Sequence, residues 1–203
     1  MRKLFLSSSF KDVAKQLPNF AGEDLKGKTV TFIPTAAVHE KVNFYVKSGR
    51  KALEKMGLIV DVLDVSTAAP PEMMAKLQTN DYIYVTGGNT FFLLQELRKS
   101  GADKIIAAQI DSGKLYIGES AGSIVLSPNI EYVREMDDPG IAGDLKDYAA
   151  LGVVDFYPLP HKNCFPFKKT VEKIIKNYET VLPLMPITNA QAILIDGEAI
   201  TIS

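Results

Sequence analysis

Apolar positions recur in two rhythms along this chain. Short continuous runs at Lys3 to Ser7, Thr29 to Pro34, Val60 to Val65, Tyr82 to Thr86 and Leu115 to Gly118 read as strands. Between them the apolar residues take a helical spacing. The stretch from Val42 to Met56 carries Phe44, Val46, Leu53 and Met56 and closes at Gly57, while Pro70 to Leu77 and Thr90 to Leu97 are shorter, the latter with Asn89 placed to cap it. Strand-like and helical segments in alternation predict an α/β fold, a doubly wound and mostly parallel sheet. The rhythm breaks after Ser127. Pro128 to Tyr148 is acidic, interrupted by Pro139, Gly140 and Gly143, and has the length of a functional excursion. Regularity returns with a strand-like run from Val153 to Leu159, a helix from about Pro166 to Tyr178, and two runs, Ala192 to Ile195 and Ala199 to Ile202. Asp196-Gly197 between the last two signals a C-terminal β-hairpin. With no linker, repeat or low-complexity segment, residues 1–203 read as a single domain.

Composition narrows the function classes. The 203 residues are 46% hydrophobic and 23% charged, with a formal net charge of -1. That balance leaves no electrostatic footprint for nucleic acid or an anionic membrane. The apolar start Leu4-Phe5-Leu6 ends at Ser7-Ser8-Ser9, too short for a signal peptide, so a cytoplasmic location is expected. The lone Cys164 excludes an internal disulfide and a cysteine-based zinc site; no metal-ligand spacing is present, and packing is its plain reading.

The chemistry begins at Gly118-Glu119-Ser120-Ala121-Gly122, a G-x-S-x-G pattern between the run Leu115-Tyr116-Ile117 and a helix-compatible stretch. This is the sequence form of a nucleophile elbow, in which a strand turns sharply into a helix. A Cβ at either flanking position would collide with neighbouring strands. The serine hydroxyl then projects from the sheet edge, and the backbone N–H of Ala121 is offered to an oxyanion at a helix start. Glu119 has two readings, a contact for a substrate amine or a variable position of the elbow.

A serine nucleophile needs a base, and the chain has two histidines. His161 lies just past a predicted strand end and is the favoured base; His39 follows the strand ending at Ile33-Pro34 and could reach the same edge. The third member is expected to be a carboxylate. Glu131, Glu135, Asp137 and Asp138 all lie between Ser120 and His161, and the residue pattern does not separate them. A second glycine site, Thr86-Gly87-Gly88-Asn89-Thr90, follows the run Tyr82 to Val85. It has neither G-x-G-x-x-G nor G-x-x-x-x-G-K-[ST], so a nucleotide-phosphate cradle is disfavoured. Gly88 is expected to supply the second oxyanion N–H; a tight strand-to-helix turn is the alternative.

Taken together and in this order, Gly87-Gly88-Asn89-Thr90-Phe91 with Leu93-Leu94, Leu115 to Gly122, and Pro158-Leu159-Pro160-His161 resemble the S51 serine peptidases, the family of dipeptidase E and the cyanophycinases. The resemblance spans nearly the whole chain. It implies a flavodoxin-like sheet akin to the class I glutamine amidotransferases, with Ser120 as nucleophile, His161 as base and an acid at or near Glu135, Asp137 and Asp138 being the alternatives. Members known for aspartyl substrates commonly carry Asn-Pro-His-Phe at the base and an arginine-bearing segment after it. Here the residues are Leu159-Pro160-His161-Lys162, with Lys168 and Lys169 as the other nearby cations, so aspartyl specificity is not implied. The expected function is hydrolysis of a short peptide through an acyl-enzyme, with no cofactor. A small esterase or amidase with the same triad, or a non-catalytic binding module on this fold, are the alternatives. Monomer and homodimer stay open.

Overall fold

The structure, a computed structural model, describes residues 1–40 and 43–203. Nine strands are present among them: β1 (Lys3–Ser7), β2 (Thr29–Ile33), β3 (Ile59–Val62), β4 (Tyr82–Val85), β5 (Tyr116–Glu119), β6 (Tyr157–Leu159), β7 (Leu184–Pro186), β8 (Ala192–Asp196) and β9 (Ala199–Ile202). Seven form one sheet in the order β3-β2-β4-β5-β1-β8-β9. The first five in that order are parallel, while β8 runs antiparallel to β1 and β9 antiparallel to β8. The succession β3-β2-β4-β5 winds first one way and then the other, and β1 takes the place next to β5. This is a doubly wound, flavodoxin-like arrangement with the C-terminal hairpin appended at one edge.

The central strands are nearly all apolar because both of their faces are covered. Residues alternate between two cores. Leu4 and Leu6 of β1, Ile83 and Val85 of β4, and Tyr116 of β5 enter one core. Phe5, Tyr82, Tyr84 and Ile117 enter the other. The second is closed by the short α1 (Phe10–Val13) and α2 (Leu17–Ala21) and by α3 (Phe44–Lys55). The predicted start of α3 at Val42 lies outside the described residues. The first core is closed by α4 (Pro70–Thr79), α5 (Thr90–Ser100), α6 (Ala102–Asp111), α7 (Ala121–Ile124) and α8 (Lys168–Tyr178).

Two elements depart from the expected pattern. Only Tyr157–Leu159 of the run from Val153 is a strand, and it pairs in parallel with β7 in a separate two-stranded sheet. A place beside β1 is closed to it, since β1 is bonded to β5 on one side and β8 on the other. The helix α6 follows α5 directly across Gly101, whose left-handed φ of 78° ends one helix and redirects the chain into the next. Parallel direction brings the ends of β1, β2, β4 and β5 to one edge. Ser8, Ala36, Gly87-Gly88 and Ser120 all follow strands there.

Candidate active site

Ser120 is the first residue past β5, with φ 48° and ψ -106°, a conformation few non-glycine residues adopt. The flanking glycines make it possible. A Cβ on Gly122 would sit 2.2 Å from the Val85 carbonyl oxygen of β4, and one on Gly118 would sit 2.7 Å from the Gly122 oxygen. The turn is secured by Ser120 N–H donating to Ser7 O at 2.8 Å, and by Ser123 and Ile124 N–H donating back to Ser120 O. The Ser123 hydroxyl, fully buried, donates toward Ser7 O and Gly118 O. Strain at Ser120 is thus held by surrounding hydrogen bonds rather than by the serine itself.

Ser120 Oγ lies 3.0 Å from His161 Nε2. His161 is itself at positive φ, 66°, just beyond β6. Its N–H donates to Ser8 Oγ at 3.0 Å, and Ser8 in turn donates to Ile187 O, so the end of β1 and the segment after β7 clamp the turn. The Phe167 ring stacks on the imidazole at 4.8 Å between centroids. Burial lowers the imidazole pKa, and the hydrogen bond from the far side opposes that shift.

The partner on that far side is not a carboxylate. His161 Nδ1 is 2.8 Å from Asn189 Oδ1. The carbonyl accepts the Nδ1 proton, which leaves the Nε2 lone pair facing the serine hydroxyl, the tautomer a base requires. The reversed amide would donate to Nδ1 and put the ring proton against Ser120. Asn189 is secured through its backbone, its N–H pointing at Cys164 Sγ at 3.4 Å while that thiol donates to Lys162 O at 3.2 Å.

The expectation of an acid between Ser120 and His161 is therefore corrected. Glu135 faces the other way and pairs with Lys173 of α8 at 2.7 Å, partly in solvent. Asp138 caps the turn at Pro139–Ile141 by accepting the Gly140 N–H. Asp137 is buried, but on α5, where it accepts the N–H of Thr90 at 2.9 Å and the Thr90 hydroxyl. The excursion packs across the start of α5, which directs its carboxylates to that helix and to the surface. Asn189 escaped notice because it is neutral and follows the histidine in the chain. The one signal was a polar Thr188-Asn189 pair just after a short apolar run. His39 is not at the serine either; its ring lies edge-on to Phe92 at 4.4 Å.

Ala121 follows Ser120 in the elbow, and Gly88 belongs to the turn whose Gly87 packs against Ser120. Neither N–H donates to a protein acceptor among the described residues. Gly88 has φ 136°, and a Cβ there would lie 2.2 Å from the backbone of Ala36, so only glycine fits. Gly87 packs on Ser120, a Cβ on it coming 3.2 Å from Ser120 Cβ and 3.6 Å from the Tyr45 ring. Negative groups gather beside this turn. Burial pushes Asp137 up to about 6, with Glu40 adding to the rise, and the Tyr45 hydroxyl is raised by burial and then by Glu40, Glu119 and Asp137. Glu119 takes no part in the open site; its carboxylate is turned into the core beneath the elbow.

A doubly wound α/β sheet with a serine on a strained elbow, facing a histidine whose other nitrogen is held by a hydrogen bond, defines the class of elbow-type serine hydrolases. The chain belongs to peptidase family S51, whose family model matches residues 4–203, and is a serine-type peptidase. It is 56% identical over 202 residues to an uncharacterized peptidase of Listeria innocua, covering 99% of this chain and 96% of that protein. It is 31% identical over 148 residues to peptidase E of Salmonella typhimurium, covering 71% of this chain and 60% of that one. Among solved structures, that of a candidate peptidase E protein from Listeria monocytogenes superposes with a TM-score of 0.96 at 52% identity, covering 100% of this chain and 98% of that chain.

Proposed function

We propose that the protein is a cytoplasmic exopeptidase that hydrolyses short peptides through an acyl-enzyme on Ser120. Ser120 Oγ attacks the scissile carbonyl carbon as His161 Nε2 takes its proton. The N–H groups of Gly88 and Ala121 receive the oxyanion. His161 then gives the proton to the leaving amine, and a water activated by the same nitrogen releases the acyl group. Asn189 fixes the tautomer and the ring plane throughout, while the imidazolium formed in transit lacks the carboxylate of the usual triad.

The observation that carries this reading is the Ser120–His161–Asn189 chain at 3.0 and 2.8 Å. Preference for short substrates is supported by the relatives named peptidase E.

The test is a panel of dipeptides varied at both positions, run beside acyl esters, with wild-type protein and Ser120→Ala. Turnover of free dipeptides and a fall on the order of 10⁶ in kcat for Ser120→Ala are expected. Ester cleavage without dipeptide cleavage would select the esterase alternative. Comparable kcat in Ser120→Ala would remove the serine mechanism altogether.

A further inference from the structure

Glu119 is the residue before the nucleophile, yet strand alternation turns it away from the site and leaves it 3% exposed. Two donors hold its carboxylate, from two different elements. The Phe10 N–H at the start of α1 donates to Oε1 at 2.8 Å, and the Tyr84 hydroxyl of β4 donates to Oε2 at 2.8 Å. Among the described residues no lysine or arginine forms an ion pair with it. The charged and titratable neighbours are Asp12 on α1, Tyr84 on β4 and Tyr45 on α3. From α3, Gly49 packs so closely on the Tyr84 hydroxyl that a Cβ would come within 2.4 Å, which keeps that hydroxyl aimed at the carboxylate.

An ionised carboxylate only accepts, and it meets only donors here. A protonated one must donate, and then the Phe10 N–H bond loses strength or the Tyr84 hydroxyl has to reverse. From Tyr84, β4 runs on into the turn of Gly87 and Gly88, and that turn rests directly on Ser120 Cβ. We propose that Glu119 is a positioning residue whose carboxylate, when ionised, ties β4, the strand that leads into the Gly87-Gly88 turn, to the end of β5 and the start of α1, so that its protonation loosens the oxyanion donors and slows acylation of Ser120. The inference rests on the assignment of Gly88 and Ser120 under the proposed function. Burial moves the Glu119 pKa up to about 7, so the carboxylate changes state in the neutral range, above the lowered pKa of His161.

The experiment reads the rate of Ser120 phosphonylation by a fluorophosphonate across pH 5 to 9, which needs the base and the oxyanion donors but no knowledge of the substrate. Wild-type protein should show an acid limb near pH 7. Glu119→Gln, which cannot ionise, should label about tenfold more slowly at pH 8 and lose that limb, keeping only a lower one from His161. Tyr84→Phe removes a donor that favours the ionised form, so its limb should move to higher pH. A merely structural Glu119 would change the thermal midpoint and the absolute rate but leave the position of the limb. An unmoved limb in both variants overturns the inference while the serine mechanism stands. No labelling of Ser120 in wild-type protein overturns the proposed function instead.

Discussion

At the scale of single residues, the neutral third member of the site has kinetic consequences. A carboxylate beside His161 would raise its pKa; an amide holds the tautomer without adding charge, and burial lowers the pKa below 6.5. Asn189→Asp should raise the pKa of His161, detected as an upward shift of its 13C or 15N titration in NMR. Asn189→Ala frees the ring to rotate and to exchange tautomers, and kcat should fall by roughly 10² to 10⁴. Glu135→Gln provides the contrast. Its ion pair with Lys173 is partly in solvent, so kcat should be unchanged and stability should move by less than about 1 kcal/mol in urea denaturation.

At the scale of elements, the elbow works because β5, α7 and β4 approach more closely than side chains allow. Gly122 touches the Val85 carbonyl of β4, a backbone atom that cannot step aside. Gly122→Ala should therefore cost about 3 kcal/mol, at the upper end of overpacking penalties, and should displace the elbow enough to lower labelling of Ser120 in whatever fraction folds. The same substitution at Gly143, where a Cβ meets nothing within 4 Å, should leave the denaturation midpoint almost unmoved. G-x-S-x-G was legible in the sequence for this reason: its spacing reflects contacts between backbones. The acid-bearing excursion was not legible, because charged loop residues take whichever partner the packing brings. Asp137 found the N-terminus of α5, and Glu135 found α8.

At the scale of the whole molecule, buried carboxylates make stability depend on pH. Glu119 has its pKa raised from 4.5 to about 7 and Asp137 from 3.8 to about 6, in both cases first by burial. Between the unfolded and folded values the native state binds more protons than the unfolded chain. Their contribution is thus fully present below about pH 4 and is lost as pH rises toward 7. His161 acts in the opposite sense, its lowered pKa withdrawing stability as pH falls below 6.5. The Glu119 part is isolated by comparison. Between pH 5 and pH 8 the wild-type protein should lose roughly 2 kcal/mol more unfolding free energy than Glu119→Gln, measured by urea denaturation at each pH.

The sequence alone determined the α/β alternation, the C-terminal hairpin and the family, along with Ser120 and His161 as the pair to watch. Those features are written in local terms: strands buried on both faces need continuous apolar runs, and an elbow needs glycines at set positions. Tertiary structure decided what depends on who meets whom. The run before His161 pairs with β7 outside the main sheet, both sides of β1 being taken by β5 and β8. Glu119 went under the elbow because the residue before Ser120 points to the other face of the strand. The partner of His161 is Asn189 because β7 lies beside β6 and carries the next loop to the imidazole. A hydrogen bond to Nδ1 needs only an acceptor in reach, so proximity, created by the parallel pairing of two short strands, selected an amide where charge and chain order had pointed to a carboxylate.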